Sequence, residues 1–120
     1  VIDKNTTIYS MLADTILGIR YAISPMPDDY KPVYDLEKHK QVQSKMMEIL
    51  DILTDKERYI ITSIYGFNEN KKSYEQLANN MGITKDEVRN IEAISFRKMR
   101  QPRRSSELKD IIGGISVDLD

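Results

Sequence analysis

The sequence lacks cysteine and tryptophan and contains a single histidine, and these absences exclude several kinds of site. Without cysteine there is neither a disulfide framework nor a thiolate metal site, and His39 alone cannot complete a zinc site. No apolar run approaches the roughly 20 residues that a helix needs to cross a bilayer, and the residues after Val1 lack the pattern of a signal peptide. We therefore expect a cytoplasmic protein that contacts no membrane and holds no metal or cofactor.

The side chains from which a catalytic site is built are also scarce. Besides the single histidine, the sequence has no glycine loop of the kind that cradles phosphates and no paired carboxylates in an evident pocket. We therefore expect neither enzymatic activity nor a small-molecule substrate.

Charge is distributed unevenly along the 120 residues, which suffice for one small domain with or without an extended arm. The net charge is -1, but residues 71–104 carry nine basic and four acidic side chains, whereas the rest carries nine basic and fifteen acidic ones. A basic segment in an acidic chain is typical of phosphate binding. The alternative interpretation is that these are ordinary solvated helix ends.

Apolar residues at helical spacing predict two amphipathic helices in the first half of the chain. The first covers residues 7–23, with Thr6 or Thr7 as its N-cap, and has apolar positions at Ile8, Met11, Leu12, Ile16, Ile19 and Ile23. The second covers residues 35–53, and we expect it to pack on the helix that follows; its apolar positions are Val42, Met46, Ile49, Leu50 and Leu53. Between the two, residues 24–34 contain three prolines and two aspartates, which predicts an extended acidic linker.

Three capping boxes predict further helix starts, because each satisfies backbone donors that a helix start leaves unpaired. They are Thr54 with Glu57, Ser73 with Gln76, and Thr84 with Glu87. Gly66 and Gly82 follow the first two of these helices, where glycine adopts a left-handed turn at low cost.

The helices of residues 73–100 therefore form a predicted helix-turn-helix. Its shared apolar side consists of Leu77, Met81, Ile83, Val88, Ile91, Ser95 and Met99. The opposite, solvated side of the second helix carries Lys85, Asp86, Arg89 and Asn90, where such a motif meets base edges in a major groove. The alternative is a purely structural helix pair with a solvated charged face.

Several short motifs carry a family resemblance. They are LT-x-x-E from Leu53, the YG pair that ends at Gly66, VRNIEA from Val88, and FRKMRQP from Phe96. In one unbroken register, residues 53–67 and 73–110 resemble region 4, the C-terminal promoter-reading domain of the bacterial sigma-70 family. The resemblance implies an all-α fold with a helix-turn-helix, preceded by a linker and amphipathic helices.

By position, the resemblance also assigns candidate residues. It implies a transcription initiation factor whose base readers at the −35 promoter element are Lys85, Asp86 and Asn90. The candidates for DNA backbone contact are Lys56 and Arg89 from the resemblance, together with Ser73, whose place at a helix start allows it to donate to a phosphate. The resemblance further implies docking on the β flap of RNA polymerase through Ile61, Tyr65, Phe96 and Met99, for which the alternative interpretation is core packing.

The chain departs from the family at its reading helix. Lys85 replaces an arginine, and Asp86 and Asn90 are each one methylene shorter than the usual residue, so we expect an altered sequence preference or a helix closer to the bases. Glu87 stands where arginine is common and has a capping box as its alternative explanation. Ile94 stands where lysine is common; it is either an isolated surface residue or part of a partner surface.

Two functions remain open from the sequence. The chain is either the promoter-reading part of a sigma factor, with an anti-sigma factor or activator as further partner, or a sigma-like interaction module that binds polymerase or a regulator without reading DNA. A diverged or phage-encoded member would suit the altered readers. We divide the chain into a helix and linker at residues 1–34, a region 4-like domain at 35–112 and a flexible tail at 113–120.

Overall fold

A computed structural model describes residues 3–17, 35–67 and 70–112, and it confirms the all-α fold. The described residues contain six helices and no strand: α1 (Lys4–Leu17), α2 (Leu36–Asp51), α3 (Asp55–Tyr65), α4 (Tyr74–Met81), α5 (Lys85–Met99) and α6 (Pro102–Ile112). The predicted linker, the tail and the end of the predicted 7–23 helix lie outside these residues.

The capping boxes form as the sequence predicts. At the starts of α3, α4 and α5, the N-cap side chain accepts a hydrogen bond from the third helical residue, whose own side chain accepts from the N-cap backbone. Gly66 and Gly82 end α3 and α4 with φ angles of 79° and 69°. These local signals therefore set the boundaries of the helix-turn-helix.

The predicted N-cap of α1 is wrong. Asp3 lies at the start, where its carboxylate accepts a hydrogen bond from the Thr6 N–H at 2.8 Å, and the helix begins at Lys4. Thr6 is buried inside the helix, and its hydroxyl donates to Gln43 Oε1 of α2 at 3.2 Å. The carboxylate of Asp3 pairs a backbone donor that the helix start leaves open, so the helix begins before the predicted threonine cap.

The packing of α2 also differs from our expectation. Its main partners are α1 and α6 rather than α3. At the α1 contact, Ser10 Oγ and His39 Nδ1 lie 2.6 Å apart and both side chains are buried. α1 therefore packs directly on α2.

α6 is a helix that was not predicted from the sequence. Its first residue is Pro102, which is favoured at the first helical position, and Leu108 and Ile112 are spaced for one buried face. α6 packs against both α1 and α2.

One hydrophobic core takes side chains from all six helices. In the helix-turn-helix, Leu77, Val88, Ser95 and Met99 are buried, and Met81, Ile83 and Ile91 pack against the core while partly exposed. Among α3, α4 and α5, the central helix is α5 because both α3 and α4 pack on it. The proposed domain division at residue 34 stays a prediction, although α1 shares the core of the helices that follow.

Candidate nucleic-acid interface

The three predicted base readers project from the outer face of α5. Lys85, Asp86 and Asn90 are all exposed, whereas Val88 between them is fully buried. The helix start is fixed by Thr84, whose hydroxyl accepts from the Glu87 N–H at 3.1 Å. A rigid, capped helix therefore presents a lysine, a carboxylate and an amide to solvent within two turns, and these are groups that can pair with guanine, cytosine and adenine edges respectively.

Glu87 has the structural explanation that its capping box predicts. Its carboxylate accepts from the Thr84 N–H at 3.4 Å and from the Thr84 hydroxyl at 3.2 Å. Its position in the first turn also suits the helix dipole, which favours a negative charge there. Ile94, at the other departure from the family, is half-buried rather than fully on the surface.

Arg89 is held by two neighbours, Asp86 of α5 and Tyr74 of α4. Its Nη1 donates to Asp86 Oδ1 at 3.2 Å, and its guanidinium carbon lies 5.1 Å from the centre of the Tyr74 ring. The Tyr74 hydroxyl in turn donates to Glu92 Oε1 at 2.7 Å, and Glu92 is buried. The sequence reasoning missed Tyr74 because its partners come from another helix.

Ser73 lies beside this cluster as the N-cap of α4. Its oxygen accepts from the Gln76 N–H at 3.1 Å, and its own N–H donates to Gln76 Oε1 at 2.8 Å. Because the side chain is exposed, its hydroxyl proton can still point outwards to an anion. Lys56, the remaining backbone candidate, is exposed in the first turn of α3.

All four predicted docking residues are buried in this conformation. Ile61 and Met99 are fully buried, and Tyr65 and Phe96 are 3% and 7% exposed. Burial raises the pKa of the Tyr65 hydroxyl to about 12. Core packing thus accounts for these side chains as they stand.

α1 packs beside the predicted docking residues. The rings of Tyr9 and Phe67 have centroids 4.7 Å apart. Arg100 donates to the backbone carbonyls of Thr15 and Ile16, each at 3.2 Å, while its guanidinium lies 5.2 Å from the Phe96 ring centre. Arg100 therefore joins the end of α5 to the last turn of α1, and the two partners lie too far apart along the chain for a local pattern to predict the contact.

An ion pair joins α3 to α5. Lys98 Nζ lies 2.8 Å from Glu57 Oε2, and the Thr54 N–H donates to the other carboxylate oxygen at 2.8 Å. Burial alone raises the pKa of Glu57, but the hydrogen bonds from Lys98 and Thr54 outweigh it and hold the pKa below its ordinary value. Glu57 is therefore a charged group in the structural frame of the motif.

The described ranges lack the features of two other kinds of site. Within residues 3–17, 35–67 and 70–112, no cluster of three or more histidine or carboxylate side chains is placed to hold a metal ion. Among the helices of the same ranges, none is both long and apolar enough to cross a bilayer.

Comparison with known proteins identifies the motif. The profile of the family "Sigma-70, region 4" matches residues 49–101. RNA polymerase sigma factor SigA of Listeria monocytogenes is 30% identical over 79 residues, which are 65% of this chain and 21% of that protein. SigA of Clostridium acetobutylicum is 29% identical over 89 residues, which are 72% of this chain and 24% of that protein.

The chain thus aligns with less than a quarter of the length of either relative. No solved structure matches it significantly. The profile match, the two relatives and the six-helix fold with its capped helix pair agree with one another. Residues 49–101 are therefore a sigma-70 region 4 domain.

Proposed function

We propose that the chain is the promoter-reading part of a sigma factor and that α5 enters the major groove of the −35 element. The observation that carries this proposal is the exposed face of α5, on which Lys85, Asp86 and Asn90 stand on a helix fixed at its start by a capping box. The name of the relatives, RNA polymerase sigma factor, supports the same function.

The chemistry of the three readers suits different bases. Lysine donates to the guanine acceptors, aspartate accepts from the cytosine amino group, and asparagine pairs with adenine through two hydrogen bonds. Lys85 is a point charge without the planar fork of arginine, so its discrimination of guanine is weaker. Asn90 is therefore the reader with the most specific geometry.

The surrounding charges suit the phosphate backbone. Arg89 and Ser73 flank the reading face, and Lys56 is a further exposed cation on α3. Contacts of this kind set the register on the duplex and make affinity fall with salt, because bound cations are released from the DNA. A domain with so few phosphate contacts binds weakly alone and gains strength when tethered to polymerase.

Docking on the β flap of RNA polymerase is the second half of the proposal. The four candidate side chains, Ile61, Tyr65, Phe96 and Met99, are buried here, so a flap contact through them requires part of the present packing to open. α1 is the element that contacts their immediate neighbours. We therefore propose that docking displaces α1, in the cytoplasm where polymerase acts.

A salt titration with promoter duplexes tests the DNA-reading function. The wild-type chain should prefer one hexamer and lose affinity steeply between low and moderate salt. Arg89→Ala should lower affinity for every duplex and reduce the salt slope by about 1. Gln41→Ala, a change at an exposed residue of α2, is the control and should alter neither.

The same titration distinguishes the DNA-reading function from the alternative, a sigma-like interaction module. Binding that is absent or insensitive to salt, together with retained binding to the polymerase flap, would show an interaction module that does not read DNA. Sequence preference at low salt cannot arise from such a module.

A further inference from the structure

Four side chains form a continuous series of contacts from the core to the reading face. Glu92 of α5 is buried and accepts from the Tyr74 hydroxyl at 2.7 Å. The guanidinium of Arg89 lies 5.1 Å from the centre of the Tyr74 ring, and Arg89 donates to Asp86 at 3.2 Å. The series connects the first residue of α4 to a predicted base reader on α5.

We propose that Tyr74 is a positioning residue for base recognition, which holds Arg89 in the place from which it orients Asp86. The inference rests on the proposed DNA-reading function and adds a residue that neither the motifs nor the helix-turn-helix pattern assigned. Tyr74 touches no base in this scheme, because it acts through Arg89.

The exposure of the ion pair explains why a further contact is needed. The side chains of Arg89 and Asp86 are 55% and 93% exposed, and an exposed ion pair by itself fixes a geometry only weakly. The face of Tyr74 gives the guanidinium a second, planar contact. Tyr74 is itself anchored at its far end by a buried carboxylate, so its ring is a fixed platform.

The chemistry of arginine allows this arrangement to work on DNA. A guanidinium has five N–H donors in a rigid plane, so Arg89 can donate to Asp86 and to a backbone phosphate at the same time. The phosphate contact and the orientation of the carboxylate are then coupled. Because a carboxylate discriminates cytosine only when it is aimed at the amino group, the orientation of Asp86 affects base preference.

The experiment uses the full chain and a duplex selected by the wild-type protein from a pool with a randomised hexamer. Tyr74→Leu removes the ring, whereas Tyr74→Phe keeps the ring and removes the hydroxyl. Arg89→Lys leaves Tyr74 and Glu92 intact but removes the planar fork. Tyr59→Leu, at an exposed tyrosine of α3, is the matched control. Relative affinities are measured for the selected duplex and for duplexes changed at single base pairs.

Asp86→Ala identifies the base pair that Asp86 reads. At that base pair, we expect Tyr74→Leu and Arg89→Lys each to lower the discrimination about fivefold or more, and at the other base pairs to keep it. Tyr74→Phe should retain most of it, and Tyr59→Leu all of it. A uniform loss of affinity at every base pair in both Tyr74→Leu and Arg89→Lys, with the preference unchanged, would overturn the proposal.

A readout without DNA separates this inference from the proposed function. The Arg89 Nε–Hε resonance should be shifted by the ring current of Tyr74 in the wild type and in Tyr74→Phe, and should move to its unshifted position in Tyr74→Leu. An unshifted wild-type resonance contradicts the positioning, whatever the DNA result. If the wild type selects no hexamer, the proposed function fails, while the resonance still decides whether Tyr74 holds Arg89.

Discussion

Glu57 shows how one residue takes part both in a local signal and in a long-range contact. It closes the capping box of α3 and also pairs with Lys98 of α5 at 2.8 Å. The capping role follows from its position three residues after Thr54. The ion pair does not, because 41 residues separate the two side chains along the chain.

Glu57→Gln tests the contribution of this charge. The amide can still accept from the Thr54 N–H, so the variant loses mainly the ion pair, and we expect a loss of about 1–2 kcal/mol in the free energy of unfolding. Urea denaturation at pH 7 measures the change. Glu75→Gln, at an exposed residue of α4, is the control and should change it by less than about 0.5 kcal/mol.

The pH dependence of the same variant follows from the lowered pKa of Glu57. The unfolded chain has the ordinary pKa near 4.5 and takes up the proton first as the pH falls, so the stabilisation is present above that pH and is lost as the pH drops through the lower folded pKa. The difference between wild type and Glu57→Gln should therefore shrink on acidification below about pH 4.5. A difference that stays constant from pH 7 to pH 3 would contradict a charged Glu57.

At the scale of the elements, the turn between α4 and α5 rests on Gly82. Its φ of 69° lies in the left-handed region, and beyond its neighbours along the chain no heavy atom lies within 4 Å of an added Cβ. Any loss of stability in Gly82→Ala is therefore due to the backbone conformation and not to steric crowding. We expect a loss of roughly 1 kcal/mol in the free energy of unfolding.

Thermal or urea unfolding of Gly82→Ala and Gly82→Asn checks the origin of that cost. Asparagine tolerates the left-handed conformation better than alanine, so Gly82→Asn should lose less stability. Equal losses in the two variants would show that something other than the backbone conformation is responsible.

α1 is the element whose packing has most bearing on function. Its buried side contains four polar residues, Thr6, Ser10, Asp14 and Thr15. The same side also buries five apolar residues, Ile8, Met11, Leu12, Ala13 and Ile16. An interface of mixed polarity is typical of contacts that can be exchanged, which suits the proposal that polymerase docking displaces α1.

Tyr9→Ala tests that displacement from the α1 side, leaving the candidate docking residues unchanged. The aromatic pair with Phe67 is worth about 0.5–1.5 kcal/mol beyond its burial, so affinity for the isolated β flap should rise about twofold to tenfold. Calorimetric titration with the purified flap measures it, with Tyr59→Ala as the control. Unchanged or weaker flap binding by Tyr9→Ala would favour a purely structural role for the docking candidates.

The helix boundaries were predictable where their signals are local. The boxes at Thr54, Ser73 and Thr84 and the glycine turns each need only four or five consecutive residues, and all appear in the structure. The cap of α1 was mispredicted because two adjacent threonines competed with Asp3, which precedes the apolar pattern. α6 was missed because the only clues to it were Pro102 and two buried residues four apart.

The candidate site was predictable only in part for the same reason. Exposure of Lys85, Asp86 and Asn90 follows from helical periodicity once Val88 is assigned to the core. The contact of Tyr74 with Glu92 spans 18 residues and that of Arg100 with Ile16 spans 84, so no periodicity within one helix reveals them. Burial of the docking candidates likewise depends on how separate helices pack.

In the molecule as a whole, we propose that one helix face of a small domain reads the bases. The chain is nearly neutral overall, with a net charge of -1, so general attraction to DNA is modest and the local basic segment has to direct binding. Specificity should therefore depend on the α5 readers more than on total charge. The altered readers lead us to expect a hexamer that differs from the one the family usually prefers.

Base reading by α5 can be tested by selection from a duplex pool with a randomised hexamer, carried out in parallel with the wild-type chain and Asn90→Ala. The wild type should enrich one hexamer, and Asn90→Ala should lose about 1–3 kcal/mol of discrimination at a single A·T pair while keeping its preferences elsewhere. Identical enrichment by both proteins, or no enrichment by the wild type, would contradict base reading by α5.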